Sequence, residues 1–149
     1  MKKFKFSLDK LKRFKEQVKK KEENELAALR ARYRELIEER EAMEAELDLR
    51  NRNFIENSEK GMTAQQVMNE KGFISYLIDA IKQKNKEIAA QNSKVQRQLH
   101  VVIEATKEVT TLEKLEEKQL AEYNFRAAKA DEAFIEEYVN NREHTRTAD

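Results

Sequence analysis

The chain has 149 residues, 40% of them charged, with two Gly and no Pro, Trp or Cys. That composition excludes an ordinary domain with a thick core and predicts long helices, each burying a narrow stripe within one extended unit. Disulfide and thiolate chemistry is excluded with the cysteines, and no uncharged run reaches ten residues, so neither a membrane span nor a secretory signal core is expected. A reducing, cytoplasmic setting is the default that follows.

The net charge of +1 hides an uneven distribution: residues 1–21 carry +8, residues 22–60 carry −5, residues 61–112 carry +2 and residues 113–149 carry −4. In an antiparallel hairpin the basic start would lie beside the acidic last segment and be neutralised there. The alternative is a basic tip that meets an acidic partner, a lipid surface or nucleic acid.

The first helix is expected over about 7–60. Ser7 can cap it, Asp9 falls in its first turn, and Phe6 with Leu11 has the spacing of a hydrophobic staple. From there Leu8, Leu11, Val18, Leu26, Leu29, Tyr33, Leu36, Met43, Leu47 and Phe54 recur at three-four spacing, as a coiled-coil seam requires. Lys15, Glu22, Arg40 and Arg50 interrupt that seam, and the extra four residues between Glu22 and Leu26 amount to a stutter. Long charged side chains can lay their stems along such a seam and keep the charge wet. At the start, Phe4, Phe6 and Phe14 alternate with Lys. Two readings stand: Phe6 staples the helix while Phe14 flanks the seam, or the basic aromatic tip inserts into a protein socket.

The chain turns within Ser58–Ile81, which holds both glycines. Gly61 can take the left-handed conformation that ends a helix, with Lys60 at the negative end of the helix dipole. Thr63 and Gln66 then form a capping box and Met62 with Val67 a staple, so a short helix is expected over about Thr63–Lys71, within a bend of 61–72.

A second long helix is expected over about 73–141, with Ile74, Leu77, Ile81, Ile88, Val95, Val102, Val109 and Leu112 on its seam. Beyond Leu112 the stripe resumes four residues out of phase as Leu120, Tyr123, Ala127, Ala130, Phe134 and Tyr138, and a frayed tail is expected over 142–149. At about 1.5 Å per residue the first helix spans roughly 75 Å and the second about 100 Å. Either the stretch from about Tyr123 projects alone or the short helix takes up the difference. Phe73–Ile81 is apolar on more sides than one helix covers, because Phe73, Leu77, Ala80 and Lys84 form a second row. That row is expected to be covered by the short helix, with Val67 and Met68, or by a protein partner.

Catalytic chemistry finds little to work with. There is no Gly-rich phosphate loop and no Cys nucleophile, and the two histidines, His100 and His144, are too distant to share a helix face. His100 and Glu104 have i,i+4 spacing, which reads as a surface polar pair, since two ligands make no tetrahedral metal site. No enzyme activity, metal or cofactor is expected.

Three stretches resemble the FliJ family of flagellar type III export proteins. They are Phe4-Lys5-Phe6-Ser7-Leu8-Asp9-Lys10-Leu11 with Phe14-Lys15, Phe73-Ile74 with Leu77, Ala80-Ile81 and Gln83, and Leu112-Glu113-Lys114-Leu115 with Glu117-Lys118 and Tyr123. Lys129-Ala130-Asp131-Glu132 keeps part of the family's Q-K-x-L-D-E. The resemblance implies an all-α antiparallel coiled-coil hairpin, similar to the stalk of rotary ATPases, at the cytoplasmic face of the inner membrane. Its paired termini would enter the pore of the hexameric flagellar export ATPase, with the tip carrying Phe4, Phe6, Leu8, Lys10, Leu11, Arg13 and Phe14, and promote its assembly and activity. The row Phe73, Leu77, Ala80 and Lys84 would face the membrane export gate, and escort of export chaperones is also implied. Two rival readings rest on the residues alone: a basic-tipped module for nucleic acid or anionic membrane, and a parallel coiled-coil dimer in which Gly61 is a mere interruption.

Overall fold

A computed structural model describes residues 2–148; Met1 and Asp149, the ends of the expected unit and tail, lie outside the described residues. Helix α1 spans Asp9–Lys60 and helix α2 spans Ala64–Thr147. The two pack against each other as a hairpin, so the chain has the expected all-α class. Packing divides it into two compact units, Met1–Lys20 with Glu104–Asp149 and Lys21–Ile103.

The corner of the hairpin lies in the second unit and forms as its residues dictate. Gly61 has a φ of 100°, a backbone conformation that L side chains rarely adopt, and its N–H donates to the Ser58 carbonyl at 3.3 Å. Two residues on, the Gln66 N–H donates to Thr63 Oγ1 at 3.2 Å and the Thr63 N–H donates to Gln66 Oε1 at 3.0 Å. This is the expected capping box, and it satisfies two amides that the first turn of α2 would leave orphaned. Gly61 is therefore a turn within one chain, not an interruption in a parallel dimer.

The expected short helix is not a separate element. Thr63–Lys71 caps and opens α2, and Gly72 lies within that helix with nothing within 4 Å of where its Cβ would stand. A glycine inside a helix costs about 1 kcal/mol relative to alanine but need not break it when caps and seam continue on either side. Helix α2 likewise runs past Asn140–Asn141 to Thr147, where fraying is expected from the sequence. At the other end, α1 starts at Asp9, so the residue before it is Leu8 rather than the expected cap, Ser7. The Phe6 carbonyl accepts from the Asp9 N–H at 3.2 Å and the Leu8 carbonyl from the Lys12 N–H at 2.9 Å, which closes the first turn through the backbone.

Within the unit of Lys21–Ile103, α1 and α2 run antiparallel, with Leu26, Leu36, Leu77, Ile88 and Val95 buried between them. Within the other unit, Phe6, Ala105, Val109 and Leu112 form the buried core. Leu120 does not join it, being 41% exposed; the half-buried row of α2 passes through Gln119, Tyr123 and Ala127 instead. Beyond Ala127 the described residues of α2 are exposed, so of the two expectations for the longer helix, the projecting C-terminal stretch is the one realised.

Candidate docking surfaces

Charged residues that interrupt the α1 seam all reach across to α2. In the unit holding the bend, Glu22 accepts from Gln98 Nε2 at 2.6 Å, Arg40 donates to Asn85 Oδ1 at 3.3 Å, and Arg50 lies 3.5 Å from Glu70 and 4.3 Å from the Phe73 ring centroid. In the unit holding both ends, Lys15 pairs with Glu108 at 2.8 Å. Each interruption is thus a cross-helix contact, and Arg40 also carries its Nε into the seam, buried and without a hydrogen-bond partner.

On α2 a complementary row was not legible from apolar spacing. Counting by seven from Leu77 gives Lys84, Gln91, Gln98, Ala105 and Leu112. Lys84 Nζ pairs with Glu39 at 2.7 Å, Gln91 Nε2 donates to the Leu29 carbonyl at 3.0 Å, and Gln98 Nε2 donates to the Glu22 carbonyl at 3.1 Å. Three polar residues thus occupy consecutive seam positions, each tied to one site on α1. The hydrogen bond from Lys84 holds the Glu39 carboxyl below its ordinary pKa, and the same bond raises that of Lys84. The signal that would have found the row is the seven-residue count itself, applied to polar residues.

The N-terminal candidates divide into two groups. Phe6 is only 7% exposed, and Phe4 packs on Tyr123 with ring centroids 5.6 Å apart while the Tyr123 hydroxyl donates to the Lys2 carbonyl. These aromatics strap the first residues onto α2. Leu8, Leu11 and Phe14 are exposed, Phe14 at 57%, and they recur every three residues beside exposed Lys10 and Arg13. Arg13 Nε lies 3.0 Å from Asp9, and Lys12 pairs with Glu116 at 2.6 Å, a hydrogen bond that raises the Lys12 pKa. Part of the basic start is therefore neutralised by the acidic α2 segment, as an antiparallel arrangement predicts.

At the bend, the row expected to be covered by the short helix or by a protein partner is covered by α1 instead. Leu77 is 4% exposed and Phe73, Ala80 and Lys84 are half-buried, Phe73 under Arg50 and Lys84 against Glu39. With Thr63–Lys71 continuous with the rest of α2, that segment cannot fold back over the row, and the row turns toward α1 instead. The open apolar side chains here are Met68, Tyr76 and Ile78, with Tyr76 65% exposed and its ring 6.0 Å from that of Phe73. His100 is exposed and Glu104 pairs with Lys107 at 3.3 Å. Among the described residues no three His, Cys, Asp or Glu side chains come together to hold a metal, and no helix is long and apolar enough to cross a membrane.

A capped antiparallel hairpin with a polar-keyed seam and exposed apolar rows at its surface defines a two-helix coiled-coil protein. The family model for the flagellar FliJ protein matches residues 4–147, nearly the whole chain, and the chain belongs to that family of non-catalytic components of the flagellar protein-export apparatus. No curated protein and no solved structure matches it.

Proposed function

We propose that the chain is the stalk of the export apparatus, binding the hexameric flagellar export ATPase, promoting its assembly and activity, and linking it to the membrane export gate. The observation that carries this reading is the row Leu8, Leu11 and Phe14 beside Lys10 and Arg13, an apolar stripe with basic flanks that stays partly open at the surface, Phe14 most of all. Phe4 and Phe6 serve the tip indirectly, by strapping it to α2. The gate contact belongs to the bend, where the rim of Phe73, Ala80 and Lys84 adjoins exposed Met68, Tyr76 and Ile78. Such a protein works at the cytoplasmic face of the inner membrane, alongside the chaperones whose escort the family resemblance implies.

An ATPase and pull-down assay with the flagellar export ATPase tests this. Removing residues 1–14 would also remove buried Phe6, so Leu11→Ala with Phe14→Ala is the sharper variant. The intact chain stimulates hydrolysis and is retained by the hexamer, and the double variant loses at least about tenfold in affinity, some 1.4 kcal/mol. Equal stimulation by both proteins, or none by either, removes the tip assignment.

A further inference from the structure

We infer that Arg50 is a releasable lid on Phe73, covering the ring in the free chain and yielding it when a partner engages the bend. This rests on the gate contact proposed above and adds its control. Counting by seven along α1, Leu29, Leu36, Met43 and Arg50 share one seam position. The first three are buried or half-buried apolar side chains, whereas the fourth lays a guanidinium over an aromatic ring. Arg50 Cζ stands 4.3 Å from the Phe73 centroid, and Arg50 Nη1 lies 3.5 Å from Glu70 Oε1, one turn before Phe73 on α2. The other interruptions of the seam, Lys15, Glu22 and Arg40, meet polar groups. An apolar residue in place of Arg50 would bury more surface against Phe73, so this seam position is spent on a cover that can be lifted.

The lid sits where the hairpin is most loosely closed. From residue 37 to residue 76, within the unit of Lys21–Ile103, no side chain is fully buried, and Phe54, Val67, Glu70 and Phe73 are half-buried. Arg50 keeps 39% of its side chain exposed and Glu70 32%. A cation–π contact and an ion pair that wet are weak, and the long arginine stem can swing the guanidinium into water without moving either helix. What this uncovers adjoins an open surface. The Phe73 ring lies 6.0 Å from that of exposed Tyr76, and Gly72 beside it has nothing within 4 Å of where its Cβ would stand, so no side chain obstructs the approach. With the lid lifted, Phe73 and Tyr76 form one aromatic face; with it closed, a charge hides the larger part of that face from water. A partner that needs the open face meets it in only a fraction of the molecules, which lowers its apparent affinity by that fraction.

Two readouts on the full chain separate the lid from the gate contact. Para-fluorophenylalanine placed at position 73 reports exposure of the ring, through the broadening of its fluorine NMR signal by a soluble nitroxide; titration with the cytoplasmic domain of the export gate reports affinity. Arg50→Ala and Glu70→Gln, which remove the lid and its anchor, both increase the broadening and tighten gate binding at least about threefold. Arg52→Ala removes the same charge two residues away, from an ion pair with Asp48 on its own helix, and changes neither readout. An arginine that only stabilises the bend predicts a lower urea midpoint in Arg50→Ala with gate binding unchanged or weaker, and that result overturns the proposal. So does broadening that stays unchanged in Glu70→Gln, or an equal effect of Arg52→Ala. No gate binding by any of these proteins removes the gate contact, and the fluorine signal alone then decides the lid.

Discussion

The two glycines of this chain do opposite things, and substitution separates them. Gly61 sits at φ 100°, where a Cβ is strained whatever the space around it, so Gly61→Ala is expected to cost about 1–2 kcal/mol. Gly72 lies inside α2 with open space at its Cβ position, so Gly72→Ala is expected to gain about 0.5–1 kcal/mol from helix propensity. Urea midpoints read both, and shifts of the same sign would refute the conformational account. Glu39 gives a second test at this scale. Because the Lys84 hydrogen bond depresses its pKa, its contribution is present above the ordinary carboxylate value of about 4.3 and is lost as pH falls through the depressed folded value. Lys84, with a raised pKa, stays charged throughout that range. Glu39→Gln should therefore lower the melting temperature at pH 7, and the gap from the parent protein should close in acid titration; a gap constant down to pH 2 would exclude the pair as its source.

At the scale of the helices, the seam chooses register over strength. Gln91 and Gln98 occupy positions where leucine would bury more apolar surface, yet each donates to one particular carbonyl of α1, those of Leu29 and Glu22. A polar seam residue typically fixes register at a cost in stability. Gln91→Leu with Gln98→Leu is expected to raise stability by about 1 kcal/mol or more in chemical denaturation. The same variant should broaden the distance distribution between spin labels on cysteines placed at exposed Arg34 and Lys86; a gain in stability with an unchanged distribution would show that register is held elsewhere. This keying also explains what was legible beforehand. The corner was readable because Gly61, Thr63 and Gln66 act through local backbone chemistry, and the α1 seam from Val18 to Phe54 because apolar residues mark it, whereas Leu8 and Leu11, expected on the same seam, are exposed. The orientation of the Phe73 row was not, since it depends on α2 being continuous through Gly72, where a local break signal loses to capping and packing on both sides. Phe6 reads equally well as helix staple or socket plug, and the strap that Phe4 makes was not legible because it depends on the placement of Tyr123, more than a hundred residues away in sequence.

At the scale of the whole molecule, stability is concentrated in part of the chain. The buried residues of α2 lie between Leu77 and Leu112, while the described residues beyond Ala127 are exposed. Local opening free energy follows buried contact, so amide exchange should be slowest from Leu77 to Leu112 and fastest along 130–147, where little beyond the helix's own hydrogen bonds protects the backbone. A chain ending at Ala127 should accordingly lose no more than about 0.5 kcal/mol in denaturant unfolding, the usual range for changes away from packed features. Removing residues 2–8 instead takes out buried Phe6 and the Phe4–Tyr123 contact, and should cost about 3 kcal/mol or more, as loss of a buried aromatic does. The two truncations are of similar character in sequence, each removing an aromatic, charged end. Their expected effects differ because one end is spent on the fold and the other is not. If the C-terminal truncation proved as damaging as the N-terminal one, Phe134 and Tyr138 would be part of the folded core in solution, and the exposed end of α2 would have to be closed by the chain itself.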